Sequence, residues 1–215
     1  MGNEFWAAVI GAIVGSVSGG VIAWLLQLSQ DRRQTRARDQ AIARALIFKL
    51  VRIHSDLSGF KTHVDECEIR AKRDGLPVGW QSLRAIGNLP ERVSFTPDEM
   101  SYLLSLKNYK LFDKVLSLDV VHSSTIGIFE LYKERRLALT DLLSATMDGM
   151  VGTATLNDIQ KAFFDPKAAE LDLLVADIRS RVEQDANESR EALVETSIAI
   201  GPTLGGPLEL EFKQP

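Results

Sequence analysis

The chain has 215 residues, 45% of them hydrophobic, with one cysteine and a formal net charge of −4. A single cysteine excludes an intramolecular disulfide, and a mean hydropathy of −0.01 hides an apolar end joined to a charged body. Residues 31–52 hold seven Arg/Lys against two Asp, a local +5, whereas from 53 onward 18 basic residues face 26 acidic ones, or −8. A basic collar beside an apolar stretch suits a membrane surface and argues against nucleic acid as a partner.

The first predicted element is a transmembrane anchor over residues 1–30. From Phe5 to Gln30 there is no charged residue, and about 20 residues of helix cross a hydrocarbon core of about 30 Å. Trp6 and Trp24 are separated by about 27 Å of helix, which suits rings at the two interfaces. Only Glu4 is charged before the span and the arginines follow it, unlike a cleaved signal peptide. The Arg/Lys bias places the C-terminal side in the cytoplasm and a short N-terminal stretch outside, as a single-pass signal-anchor. Reading every fourth residue gives Ala7, Gly11, Gly15, Gly19 and Ala23, and the adjacent row gives Ala8, Ala12, Ser16 and Gly20. Two rows of small residues predict close packing against another membrane helix, from a second copy or another protein. The glycines of this stretch have no following lysine, so a phosphate-binding loop is rejected.

Residues 31–45 form the basic juxtamembrane collar. Arg32, Arg33, Arg36 and Arg38 are candidate contacts for anionic lipid headgroups and also fix topology. Leu46, Leu50, Ile53, Leu57, Phe60, Val64, Cys67 and Ala71 then recur at steps of three and four, a coiled-coil-like seam. No proline separates Leu25 from Arg73, so the anchor and this helix are expected to form one rod ending at Asp74-Gly75. The loop 75–96 holds Trp80, read either as a plug at one end of the bundle or as a partner contact, and "WQSLRAIG" is a candidate short helix.

Thr96-Pro97-Asp98-Glu99 carries the capping-box signature and opens a short helix to about Lys107. Asn108 is the expected cap of a long helix to about Thr146, with a seam of Leu111, Val115, Leu118, His122, Thr125, Phe129, Tyr132, Arg136, Leu139 and Leu143. "GTATLND" opens a further short helix, and Asp165-Pro166 is expected to start a last long one with Leu171, Leu174, Ile178, Val182 and Leu193 on one face. Strand signals are nearly absent. The fold class is therefore all-α: the anchor helix continues into a cytoplasmic helical bundle over 46–199, and 200–215 is read as a flexible tail, with a partner-docking peptide as the alternative.

No catalytic signature stands out. His63 and Cys67 form at most half a zinc site, and the Asp119/His122 pair has no second copy of the kind a di-iron bundle needs. His122 reads as a polar seam residue setting register, with Thr125 as its expected partner. Glu130, Glu134, Arg135 and Arg136 read as a solvated face. No cofactor, metal ligand set or catalytic residue is expected. The leading expectation is a membrane-anchored, oligomeric, non-enzymatic assembly or regulatory subunit, whose partners are the lipid bilayer, itself or another membrane helix, and a cytoplasmic protein. The alternative is a membrane-perturbing effector of toxin or anti-phage type. An enzyme with carboxylates in the bundle core is the third reading.

Overall fold

A computed structural model describes the backbone of residues 2–141 and 156–206, and the side chains of these except 2–23 and 25. The described residues form four helices and no strand: α1 Gly2–Asp74, α2 Pro97–Ser105, α3 Tyr109–Thr140 and α4 Asp158–Leu204. This is an all-α bundle of three long helices and one short one.

α1 is unbroken over 73 residues. It ends as the sequence predicts: Gly75 takes φ +67 and the Leu76 N–H donates to the Ala71 carbonyl at 2.9 Å, closing the last turn without a Cβ penalty. At α2 the Thr96 hydroxyl accepts from the Glu99 N–H, and the Glu99 carboxylate accepts from the Thr96 N–H at 2.7 Å. Asn108 accepts the Leu111 N–H and starts α3. All eight predicted seam residues of α1 are buried, from Leu46 to Ala71. Those of α3 from Leu111 to Leu139 are buried too, except Arg136, which is half-buried. Leu143 and the expected extension to Thr146 lie outside the described residues.

Three expectations are corrected. First, Asp165-Pro166 does not start a helix. α4 begins at Asp158 behind an Asn157–Gln160 capping box and runs through Pro166. Proline fixes a helix-compatible φ but gives up one hydrogen bond. Phe164 and Ala168, on either side of it, pack on the core, and this contact holds the first turns in line. Second, the bundle does not end near 199. Ile200 and Gly201 are buried, the Gln40 amide and the Tyr102 hydroxyl hold Thr203, and Gly205 at φ +94 caps the helix. The tail residues 207–215 lie outside the described residues. Third, "WQSLRAIG" is a turn rather than a helix, with the Ser82 N–H donating to the Gly79 carbonyl at 3.0 Å.

The buried apolar residues fall into two clusters. One joins Ala43–Leu50 of α1, α2, Leu111–Leu118 of α3 and Ala192–Ile200 of α4. The other joins Ile53–Cys67, Ile126–Leu139 and Leu171–Val182, with Leu83 and Val93 of the long loop. α1 and α3 therefore run in the same direction and α4 runs against them. The first cluster lies on the collar side and the second on the loop side.

Candidate functional site

Three features could carry function: the arm that leads from the apolar segment into the bundle, a polar belt between the clusters, and the pinned turn beneath the loop.

On the arm, Trp24 and Leu26 are exposed by 60% and 59%, so neither belongs to the bundle. Almost every residue from Leu26 to Ala37 is exposed, and the first fully buried one is Ala43. The helix thus stands clear of the bundle for about 18 Å. Its hydroxyls turn back onto the helix: Ser29 donates to the Leu26 carbonyl and Thr35 to the Asp31 carbonyl. Arg32, Arg33 and Arg36 are exposed on this arm. Arg38 is turned to the bundle, 3.1 Å from Asp98 at the start of α2, so the four collar arginines do not act as one set. Ala7, Ala8, Gly11, Ala12, Gly15, Ser16, Gly19, Gly20, Ala23 and Trp6 lie outside the described side chains. Among the described residues no helix is long and apolar enough to cross a membrane.

The polar belt sits where the two clusters meet. The fully buried His122 approaches Asp56 through Nε2 at 3.1 Å, while its Nδ1 accepts the Val93 N–H at 3.5 Å. This fits the tautomer with its proton on Nε2, donated to the carboxylate. The Thr125 hydroxyl is 2.9 Å from both the Asp185 carboxylate and the Val121 carbonyl, and His54 Nδ1 is 2.9 Å from the Ser189 hydroxyl. The expected His122–Thr125 pairing is therefore corrected: each pairs with a different helix. Burial raises the Asp185 pKa above its ordinary value, opposed by the Thr125 bond and helped by Glu188. Burial, aided by the Arg190 charge, lowers that of His54, partly offset by a hydrogen bond with the Ala186 backbone. Buried polar pairs of this kind set helix register.

The turn at 79–83 is held from two helices, α3 and α4. The Trp80 N–H donates to Asp172 at 2.7 Å, and the Tyr132 hydroxyl reaches the carbonyls of Trp80 and Leu83. Arg136 also donates to both carbonyls, and Arg179 donates to the Ser82 hydroxyl at 2.7 Å. Arg136 lies 5.8 Å from the centre of the Trp80 ring, within cation–π reach. The sequence spacing puts it in the α3 seam, and its charge beside Glu130, Glu134 and Arg135 suggests a solvated face; the seam position holds. The Trp80 and Leu83 carbonyls supply its partners there, and no sequence spacing reveals those. Trp80 is half-buried, packs on the loop-side cluster and meets Phe164 edge-on at 6.2 Å. This is the geometry of a plug.

Between α1 and residues 85–90 lies an open groove of about 580 Å³, with Asp56, Gly59 and His63 along one wall. His63 is 2.9 Å from the Arg84 carbonyl and 3.6 Å from Cys67, whose sulfur also accepts from Arg70. Among the described residues no three His, Cys, Asp or Glu side chains gather as metal ligands. Comparison with protein-family models, characterised proteins and solved structures gave no match.

Proposed function

We propose that this chain is a single-pass, membrane-tethered and oligomeric subunit that holds an acidic helical bundle beneath the cytoplasmic face of a bilayer and acts in assembly or regulation, not catalysis. The observation that carries this reading is α1 itself, one helix leading from the apolar stretch 5–26 through an exposed basic arm into the bundle seam. An apolar segment of that length joined rigidly to a water-soluble bundle fits a bilayer, with Arg32, Arg33 and Arg36 beside the headgroups. The two rows of small residues favour a partner helix within it. Supporting a structural role, the bundle interior is lined by aliphatic and aromatic side chains, and the buried His122 and Thr125 bond across helices to Asp56 and Asp185.

The test is membrane fractionation of the full chain followed by cross-linking in place. The expected result is retention through an alkaline wash and a discrete ladder that Gly15→Leu reduces at least tenfold. Release by the wash, or a strictly monomeric chain that brings down no partner, overturns the reading. Dye entry into expressing cells would instead favour a membrane-perturbing effector working through the same segment.

A further inference from the structure

The groove between α1 and residues 85–90 is built around one carboxylate. Asp56 is the sole Asp or Glu among its lining residues, and its side chain is only 19% exposed. Among the described residues its one partner is His122, whose Nε2–H it accepts at 3.1 Å. His122 receives the Val93 N–H on Nδ1, so the ring is neutral and occupies a lone pair without offsetting the charge. The cations nearby are engaged elsewhere. Arg52, one turn earlier on α1, lies 3.5 Å from Glu91, Arg92 pairs with Glu130, and Lys133 donates to the Gly87 carbonyl. His63, two turns beyond Asp56, gives its Nε2–H to the Arg84 carbonyl. A carboxylate four-fifths buried and without a counter-ion is costly to keep, and the cost falls when a cation enters from the open side.

Gly59 is the second observation. It lies within α1, where glycine is about 1 kcal/mol less favourable than alanine. A Cβ there would meet nothing within 4 Å, and the same is true of Gly87 across the groove. Nothing in the fold requires a glycine at 59, and its missing side chain leaves the approach to Asp56 open. The facing wall, Ala85 to Pro90, holds no charged group and offers Ile86 and Leu89 as apolar surface. At about 580 Å³ the groove falls within the range of small-molecule sites, about 300–1,000 Å³.

We infer that this groove binds a small organic cation, an ammonium or guanidinium group on an apolar stem. A carboxylate has about four lone-pair positions, of which His122 uses one. The charged head takes those left over at Asp56, beside the Ser55 hydroxyl, and the stem lies over Gly59 against Ile86 and Leu89. An anion of the same size meets like charge and is rejected. The bound cation joins α1 to the loop and, through His122, to α3 and Val93. Occupancy therefore ties three parts of the bundle together, which suits a regulatory ligand. The site does not depend on the membrane segment.

Fluorine NMR of the probes, with the full chain in detergent, tests this. The probes are 4-fluorobenzylammonium, the neutral 4-fluorobenzyl alcohol and the anion 4-fluorobenzoate. Comparing variants in the same micelles cancels uptake of probe by the detergent. The cation should bind the parent chain at least about tenfold more tightly than either analogue. Asp56→Asn keeps an acceptor for His122 and should weaken the cation to the level of the alcohol. Gly59→Leu fills the groove without altering Asp56 and should abolish binding, with an unchanged melting temperature showing an intact fold. If Asp56→Asn does not fold, Gly59→Leu decides alone. Equal binding of the three probes by the parent, full binding by Gly59→Leu, or no binding at all overturns the site. An acetylated and amidated Ala-Lys-Ala peptide that binds more tightly than the amine overturns the small-molecule reading in favour of a partner's lysine.

Discussion

On the collar side of the polar belt the buried core is mainly leucine, isoleucine, valine and alanine from α1, α2, α3 and α4, with Tyr102 as its one buried ring and Phe95 and Phe112 packed at its edge. On the loop side Phe60 stacks on Phe129 with centroids 4.6 Å apart, and Tyr132, Trp80 and Phe164 add further rings. There the lid is irregular chain, fixed by side chains bonding to loop carbonyls. The first half is held by many interchangeable aliphatic contacts. The second depends on a few large groups and directed bonds, so single substitutions should separate the two sharply.

The largest contrast should come from core truncation. Phe129→Ala removes a fully buried ring, leaves Phe60 without its stacking partner, and should cost about 4 kcal/mol. Leu111→Ala, equally buried on the collar side, should cost about 3 kcal/mol. Urea denaturation of the detergent-solubilised chain measures both, and a reversed order would break the comparison.

Next comes the backbone of the lid. Gly79 sits at φ +151, and a Cβ there would fall 2.3 Å from Asp172 Oδ1, the acceptor of the Trp80 N–H. Gly79→Ala should cost about 2–3 kcal/mol through strain and the displaced bond. Gly205→Ala, also at positive φ but in open space, should cost only about 1 kcal/mol. Equal losses would mean that the Asp172 contact adds nothing to the lid.

A smaller effect is expected where the lid's hydroxyl is removed alone. Tyr132→Phe leaves Arg136 to serve the Trp80 and Leu83 carbonyls and should cost about 1–2 kcal/mol. The collar side offers the opposite sign. Thr196 is fully buried and its hydroxyl has no hydrogen-bond partner among the described residues. Thr196→Val should therefore raise stability, by about 1 kcal/mol.

The same contrast explains what the sequence could reveal. The seams of α1 and α3 were legible because burial every three or four residues leaves an unmistakable period, and Thr96, Asn108 and Gly75 were legible because caps need particular side chains. The partners of Arg136, and the Asp172 and Arg179 contacts, were not, because they answer loop groups placed by tertiary structure. On α4 the apolar period fails between Val182 and Leu193, where Asp185 and Ser189 are buried. That gap, with the polar His122 and Thr125 in the α3 seam, is the sequence trace of the polar belt. Which groups pair across helices, Thr125 with Asp185 and His54 with Ser189, left no local mark. Pro166 misled because a break signal was read without the packing of Phe164 that overrides it.

The subtlest expected effect is the belt's response to pH, and it distinguishes the belt from both clusters, which carry no comparable charge. His54 has a folded pKa below its ordinary 6.5, because burial and Arg190 disfavour its cation. The stability it contributes is complete above about pH 6.5 and is lost as pH falls through the lowered value. Asp185 behaves in the opposite sense. Its folded pKa lies above the ordinary 3.8, so its contribution is complete below that value and is lost as pH rises through the raised one. Glu188 and Asp177 face it and push the same way, while Arg181 opposes them. Acidification should therefore weaken the fold through His54 and strengthen it through Asp185, leaving a shallow net profile. Single variants uncover the two limbs. Asp185→Asn keeps an acceptor for the Thr125 hydroxyl while removing a buried charge. It should be more stable than the parent at pH 7.5, with the gain vanishing by pH 4. His54→Gln should remove the fall in stability below pH 6.5. Urea midpoints at pH 7.5, 6, 5 and 4 give both curves. A less stable Asp185→Asn at pH 7.5 would show that the carboxylate's bond to Thr125 outweighs its burial, and the belt would then be a source of stability instead of a cost borne for register.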